Sequence, residues 1–158
     1  MTRHLMIAAT VVLAAWGAAQ AAGSQASHVK ADPGTLKWGP GPASLPAGSQ
    51  AAVLEGDPAK PGAFTLRIKM PDGYAIAPHW HPADEHVTVI QGTFVMGLGE
   101  KIDRSKGHAL EAGSFAMMPA GTRHFAWTKG DTIIQLHGTG PWGISYVNAS
   151  DDPRRQAK

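Results

Sequence analysis

Short apolar runs, broken at a regular pace by glycine and proline, constrain this chain more than any other feature. Ala51 to Glu55 precedes Gly56-Asp57-Pro58, Ala63 to Met70 precedes Pro71-Asp72-Gly73, and Glu85 to Ile90 precedes Gln91-Gly92. Thr93 to Leu98, Ser114 to Met118, His124 to Thr128, Ile133 to His137 and Ile144 to Val147 continue the series, each beside a Gly- or Pro-containing segment. No stretch keeps a helical period, and there is no internal repeat. Many short strands with turn chemistry between them predict an all-β antiparallel sandwich or barrel. The 19 glycines and 12 prolines agree, because such turns need φ > 0 or a fixed φ. A length of 158 residues gives room for one domain.

The first residues read differently from the rest. Thr2-Arg3-His4 is a short positive segment, Leu5 to Ala15 is apolar but for one Thr, and Ala19-Gln20-Ala21 is a small-x-small cleavage pattern. Residues 1–21 are therefore expected to be a signal peptide, the alternative being an uncleaved anchor. Residues 22–48, rich in Gly, Ala, Pro and Ser, are expected to form a linker and irregular arm, with Leu36 and Trp38 packing onto the domain. The barrel is expected over 49–149 and a polar tail over 150–158. An exported chain without cysteine has no disulfide or thiolate chemistry, and the signal style points to a bacterial periplasm. The formal charge is only +2 and no basic run is clustered, so neither a nucleic-acid partner nor, after signal cleavage, a membrane partner is expected.

Chemistry is concentrated in two places. His79-Trp80-His81 sets two imidazoles two residues apart, on one face of a strand and roughly 6–7 Å apart along it, a workable bite for one ion. Glu85 follows a turn-forming Pro82-Ala83-Asp84, so its carboxylate can swing back, and His124 arrives after the sharp Pro119-Ala120-Gly121 turn. Three imidazoles and a carboxylate suit one divalent first-row transition metal. Five residues separate Gly73 from His79, one His79 from His81, three His81 from Glu85 and six Glu85 from Gly92. Five separate Gly113 from Pro119, one Pro119 from Gly121 and two Gly121 from His124.

These spacings resemble the two signature motifs of the cupin superfamily, in order, over roughly Ala51 to Val147. One position departs: the second motif commonly ends in Asn where Thr128 stands, at a residue that is not a ligand. The resemblance implies a single-domain antiparallel jelly-roll β-barrel with His79, His81, Glu85 and His124 delivered to its interior. The glycines agree, since Gly73, Gly92, Gly113 and Gly121 fall where strands are expected to reverse.

Strand alternation sorts the remaining candidates. With Glu85 inward, Val87 and Val89 share its face and His86 points away. With His124 inward, Ala126 and Thr128 are its neighbours, and Phe125 and Trp127 form an exposed apolar patch suited to a homodimer contact. Gln135 and His137 share one face of their strand. If that face lines the cavity they support the ligands or touch substrate; otherwise they are exposed or at a subunit contact. Ala75, Ala77, Val87, Val89 and Ala126 predict a cramped, apolar pocket, with no Arg or Lys placed to clamp an anion except Arg123 at the rim. His108 is expected to be solvated.

Two functions remain open. Four protein ligands on octahedral Fe, Mn or Ni leave two positions for a small substrate and O₂, as dioxygenases require, or for substrate and water, as in some isomerases or lyases. Zn is nearly saturated by four ligands but can expand to five. The resemblance favours the dioxygenase-type members. The alternative is a non-catalytic periplasmic cupin that holds a small ligand or the metal itself, since the motifs leave the cavity free to vary.

Overall fold

The computed structural model describes residues 28–156, so the segment read as a signal peptide lies outside the described residues. Nine strands form, two of them only two residues long: β1 (Gly39–Pro40), β2 (Gln50–Glu55), β3 (Gly62–Met70), β4 (Ala75–Trp80), β5 (Glu85–Leu98), β6 (His108–Glu111), β7 (Phe115–Met118), β8 (His124–Gly140) and β9 (Ser145–Tyr146). Every pairing is antiparallel. Among the described residues, helix is confined to 3₁₀ turns and a four-residue segment, Pro153–Gln156. No helix among the described residues is long and apolar enough to cross a membrane.

Strand β8 organises the sheet. Its first residues pair with β4, its later part (Thr132 to Gly140) pairs with β3, and β5 runs beside nearly all of it, from His86 opposite His137 to Leu98 opposite His124. Two long strands shared in this way must bend, and the sheet curls around one interior. The all-β antiparallel jelly-roll barrel expected from the sequence is the fold observed.

Alternation fills that interior. Phe64, Leu66, Ile68 and Met70 of β3 are all buried, while Thr65, Arg67 and Lys69 between them take the other face. Ile134 and Leu136 of β8 and Val87 and Val89 of β5 meet them in the same core. Each such side chain contributes about 1.5–3 kcal/mol on removal from water.

Two expectations about the strands are corrected. Gly92 does not reverse the chain: β5 runs through it with a register shift, its φ of 75° making the bend and the Asp131 carbonyl only 2.6 Å from where a Cβ would stand. Lys129-Gly130-Asp131 likewise lies within β8: Lys129 pairs with Thr93, and the residues from Gly130 to Thr132 are bulged opposite Gly92. His108 is exposed, as expected of a solvated residue, and opens strand β6, where it pairs with Met96.

Phe125 and Trp127 are not an exposed patch. They do take the face opposite His124, but with Val95 they form a second buried cluster inside the same chain. The segment from Gly99 to Gly107 folds over them, with the Arg104 guanidinium 5.1 Å from the centre of the Trp127 ring. Gly107 packs so closely on Trp127 that a Cβ there would collide with the indole. These two aromatics therefore offer no surface for the homodimer contact expected of them.

Candidate metal centre

The centre begins with two turns tied together. The Asp84 carboxylate, just before β5, accepts a hydrogen bond from Ala120 N–H at 2.9 Å, and Gly121 N–H donates to the His81 carbonyl at 2.9 Å. Thr122 N–H donates to the Pro119 carbonyl at 3.0 Å, closing the turn that starts β8. The loop before Glu85 and the turn before His124 are thus fixed to each other, although their residues are far apart in sequence.

On β4 a bulge sets the phase. Ile76 pairs with Ala126 and His79 with His124, so three steps on β4 match two on β8. Ile76 and His79 therefore both face inward, and His81 follows two residues later. Ala75 is exposed and Ala77 half-buried, which corrects the expectation that these alanines line the pocket.

His79, His81 and His124 converge: one nitrogen from each lies within 4.8 Å of the others, and all three residues are buried. Each Nδ1 faces a backbone carbonyl, His79 that of Ala77 at 2.7 Å, His81 that of Gly143 at 2.7 Å and His124 that of Thr122 at 2.9 Å. A carbonyl only accepts, so each Nδ1 carries the proton and donates it. In the neutral ring the Nε2 lone pair is then left for the centre. Burial, reinforced by the neighbouring His124, pushes His79 down to about 2, and burial also lowers His81 against the pull of Glu85. Both rings are neutral at neutral pH.

Glu85 completes the picture. Its Oε1 lies 3.4 Å from His81 Nε2 and its Oε2 3.2 Å from His124 Nε2. With the protons on Nδ1, both contacts set acceptor against acceptor. His81 Nε2 and Glu85 Oε2 accordingly have no hydrogen-bond partner, although both are buried. Lone pairs of one sign gathered without a donor are costly unless a cation joins them. The donor set and its orphaned atoms fit a metal ion, and the three buried imidazoles could hold one.

Residues 37–154 match the family described as Domain of unknown function (DUF4437). The chain belongs to the DUF4437 family. No curated protein matches it by sequence. Among solved structures, the DUF4437 chain is similar to an acetylacetone dioxygenase from Acinetobacter johnsonii, at 17% identity and TM-score 0.60, covering 82% of this chain and 83% of the other. It is also similar to the polyketide cyclase RemF from Streptomyces resistomycificus, at 15% identity and TM-score 0.62 over 82% and 92%. KdgF from Halomonas sp. matches at 19% identity and TM-score 0.55 over 73% and 94%. Likeness at this level shows a shared fold, which is the cupin barrel expected from the two motifs.

A narrow cavity of about 30 Å³ opens beside the imidazoles of the DUF4437 chain. Ile68 and Met70 of β3, Phe94 and Met96 of β5, and Ile134 and Leu136 of β8 form its walls. Since Ile134 and Leu136 take the inner face, Gln135 and His137 do not reach the cavity. Gln135 instead accepts from Arg67 Nε at 3.1 Å, and His137 stacks on His86 with ring centres 4.8 Å apart. Gln135 and His137 as supports of the ligands are thereby corrected: the polar face of β8 is the outer one. Val87 and Val89 are buried in the core without lining the cavity, whereas Ala126 does line it. Arg123, expected to reach the rim, is exposed, is ion-paired to Glu100 at 2.8 Å and does not line the cavity.

Two contributors escaped the sequence reading. Trp142 stacks on His81, ring centres 4.3 Å apart and planes at 15°. A tryptophan inside Gly138-Thr139-Gly140-Pro141-Trp142 is unusual company for a turn, and that is the signal it offered. The other is the amino-terminal arm, whose Pro42, Ser44 and Leu45 line the cavity. The Tyr146 hydroxyl donates to the Ser44 carbonyl at 2.7 Å and the Tyr74 hydroxyl donates to that of Pro46, pinning the arm in place.

Proposed function

We propose that this chain is a metal-dependent enzyme of the dioxygenase type, acting on a small organic molecule, with His79, His81, Glu85 and His124 as the ligands of one divalent metal. One observation carries the reading: three imidazole Nε2 lone pairs and an unpartnered Glu85 oxygen face one another inside an apolar cavity. Fe, Mn or Ni held there would supply Lewis acidity and positions at which an oxygen-bearing substrate and O₂ meet.

The chain's own residues do the rest. The carbonyls of Ala77, Gly143 and Thr122 fix the three imidazoles in the tautomer that presents Nε2, and Trp142 holds the His81 ring in plane. The apolar walls keep bulk water from the reacting atoms. The likeness to an acetylacetone dioxygenase supports the same class of substrate, a small and mostly apolar molecule with oxygen donors.

The apolar leader and its Ala-x-Ala pattern support export to a periplasm, which amino-terminal sequencing of protein recovered from that compartment would test. The activity is tested by metal analysis of the purified protein, then O₂ uptake against a panel of phenols and diketones, acetylacetone included. Stoichiometric metal with substrate-dependent O₂ uptake is expected. Tight metal without turnover of any member would favour the non-catalytic alternative.

A further inference from the structure

We propose that the cavity admits only molecules that bring a single negative charge, on an oxygen that meets the metal, attached to an uncharged and mostly apolar body. The inference rests on the four-residue metal centre proposed above and adds the charge that its substrate must carry.

A divalent ion with one carboxylate, Glu85, and three neutral imidazoles leaves a net charge of +1 in a buried site. One ionised oxygen on the incoming molecule brings that to zero. A second negative charge has nothing to meet it, because no Lys or Arg among the described residues lines the cavity. Arg67 and Lys69, which flank the lining residue Ile68, take the opposite face of β3. Arg123, next to His124, is paired with Glu100 at 2.8 Å. Arg154 donates to the Ile144 carbonyl at 3.1 Å but is paired with Asp152 at 2.7 Å. Beyond the four centre residues, the hydrogen-bonding side chains at the cavity are the Ser44 hydroxyl and the Trp142 indole N–H, both uncharged. An unpaired charge in such surroundings costs enough to dominate selectivity. Molecules with a second carboxylate or a phosphate are therefore excluded, and enols, phenols and similar singly ionised oxygen acids are the class that fits.

A matched pair of probes isolates this effect. Butyrohydroxamic acid and succinohydroxamic acid carry the same metal-binding head and the same chain length, and differ in a terminal methyl against a carboxylate. Protein loaded with Ni(II), an ion that will not turn over a hydroxamate, is dialysed, assayed for metal and titrated with each probe by calorimetry. The expected result is retained nickel, with butyrohydroxamate bound at least about a hundredfold more tightly. Retained nickel with comparable binding of the two, tighter binding of succinohydroxamate, or binding of neither would overturn the inference and leave the metal centre standing. Failure to retain nickel would overturn the metal centre, and this inference with it.

Discussion

Trp142 lies flat against His81, ring centres 4.3 Å apart, and the carbonyl of the next residue, Gly143, takes the His81 Nδ1 proton at 2.7 Å. One short segment thus sets both the plane of the ring and its tautomer. Trp142→Ala is expected to weaken metal binding about 10–100-fold, the range seen when the groups that orient metal-ligating histidines are lost. Trp142→Phe, which keeps an aromatic face, should retain most of the affinity. Competition against a chelator of known strength measures both, and an alanine variant that binds like the wild type would remove Trp142 from the account.

Thr128 stands where the second motif commonly has Asn, and its hydroxyl has a definite task. It donates to the Pro71 carbonyl at 2.6 Å and accepts from Tyr74 N–H at 2.9 Å, clamping the turn that leads into β4. The residue is buried at 2% exposure, so Thr128→Val is close to isosteric while leaving polar atoms unmet. A loss of about 1–3 kcal/mol in urea unfolding is expected, with metal content unchanged. Unchanged stability would mean that the clamp contributes nothing.

The chain has two tyrosines, and both hydroxyls donate to arm carbonyls. Burial raises Tyr74 and Tyr146 above the usual phenol range. Because the folded-state values exceed the unfolded one, the stabilisation is fully present below about pH 10 and is lost as pH rises above it. Phenolate absorbance at pH 10–11 should be smaller in the native protein than in the denatured chain, and should grow in step with loss of the circular dichroism signal. Complete ionisation near pH 10 with the fold intact would show that the arm is not pinned by these hydroxyls.

The sequence made much of the barrel legible, and the reasons are local. On β3 the alternation from Phe64 to Met70 is unbroken, so its inner face could be read directly. Around His124, alternation correctly put Ala126 inward and Phe125 with Trp127 on the opposite face. What it could not supply was the cover: the Gly99 to Gly107 segment that buries those aromatics is a non-local partner without periodicity of its own. The β4 bulge was hidden for a related reason. A single extra residue reverses which face each side chain takes, and nothing in Ala75-Ile76-Ala77 announces it. Gln135 and His137 were ambiguous because one strand alone does not say which face is inner; the apolar company of Ile134 and Leu136 decides it.

The central claim is that His79, His81, Glu85 and His124 hold one metal ion, and metal content across single variants tests it most directly. Wild type, His81→Ala, Glu85→Ala and His86→Ala would be purified alike, checked for folding by circular dichroism and assayed for bound metal. His86 is the informative control, since it adjoins Glu85 in sequence but stacks on His137 on the outer face. The account predicts about one ion per chain in wild type and His86→Ala, with severe loss in the other two. Equal loss in all three variants, or no bound metal in the wild type, would contradict it.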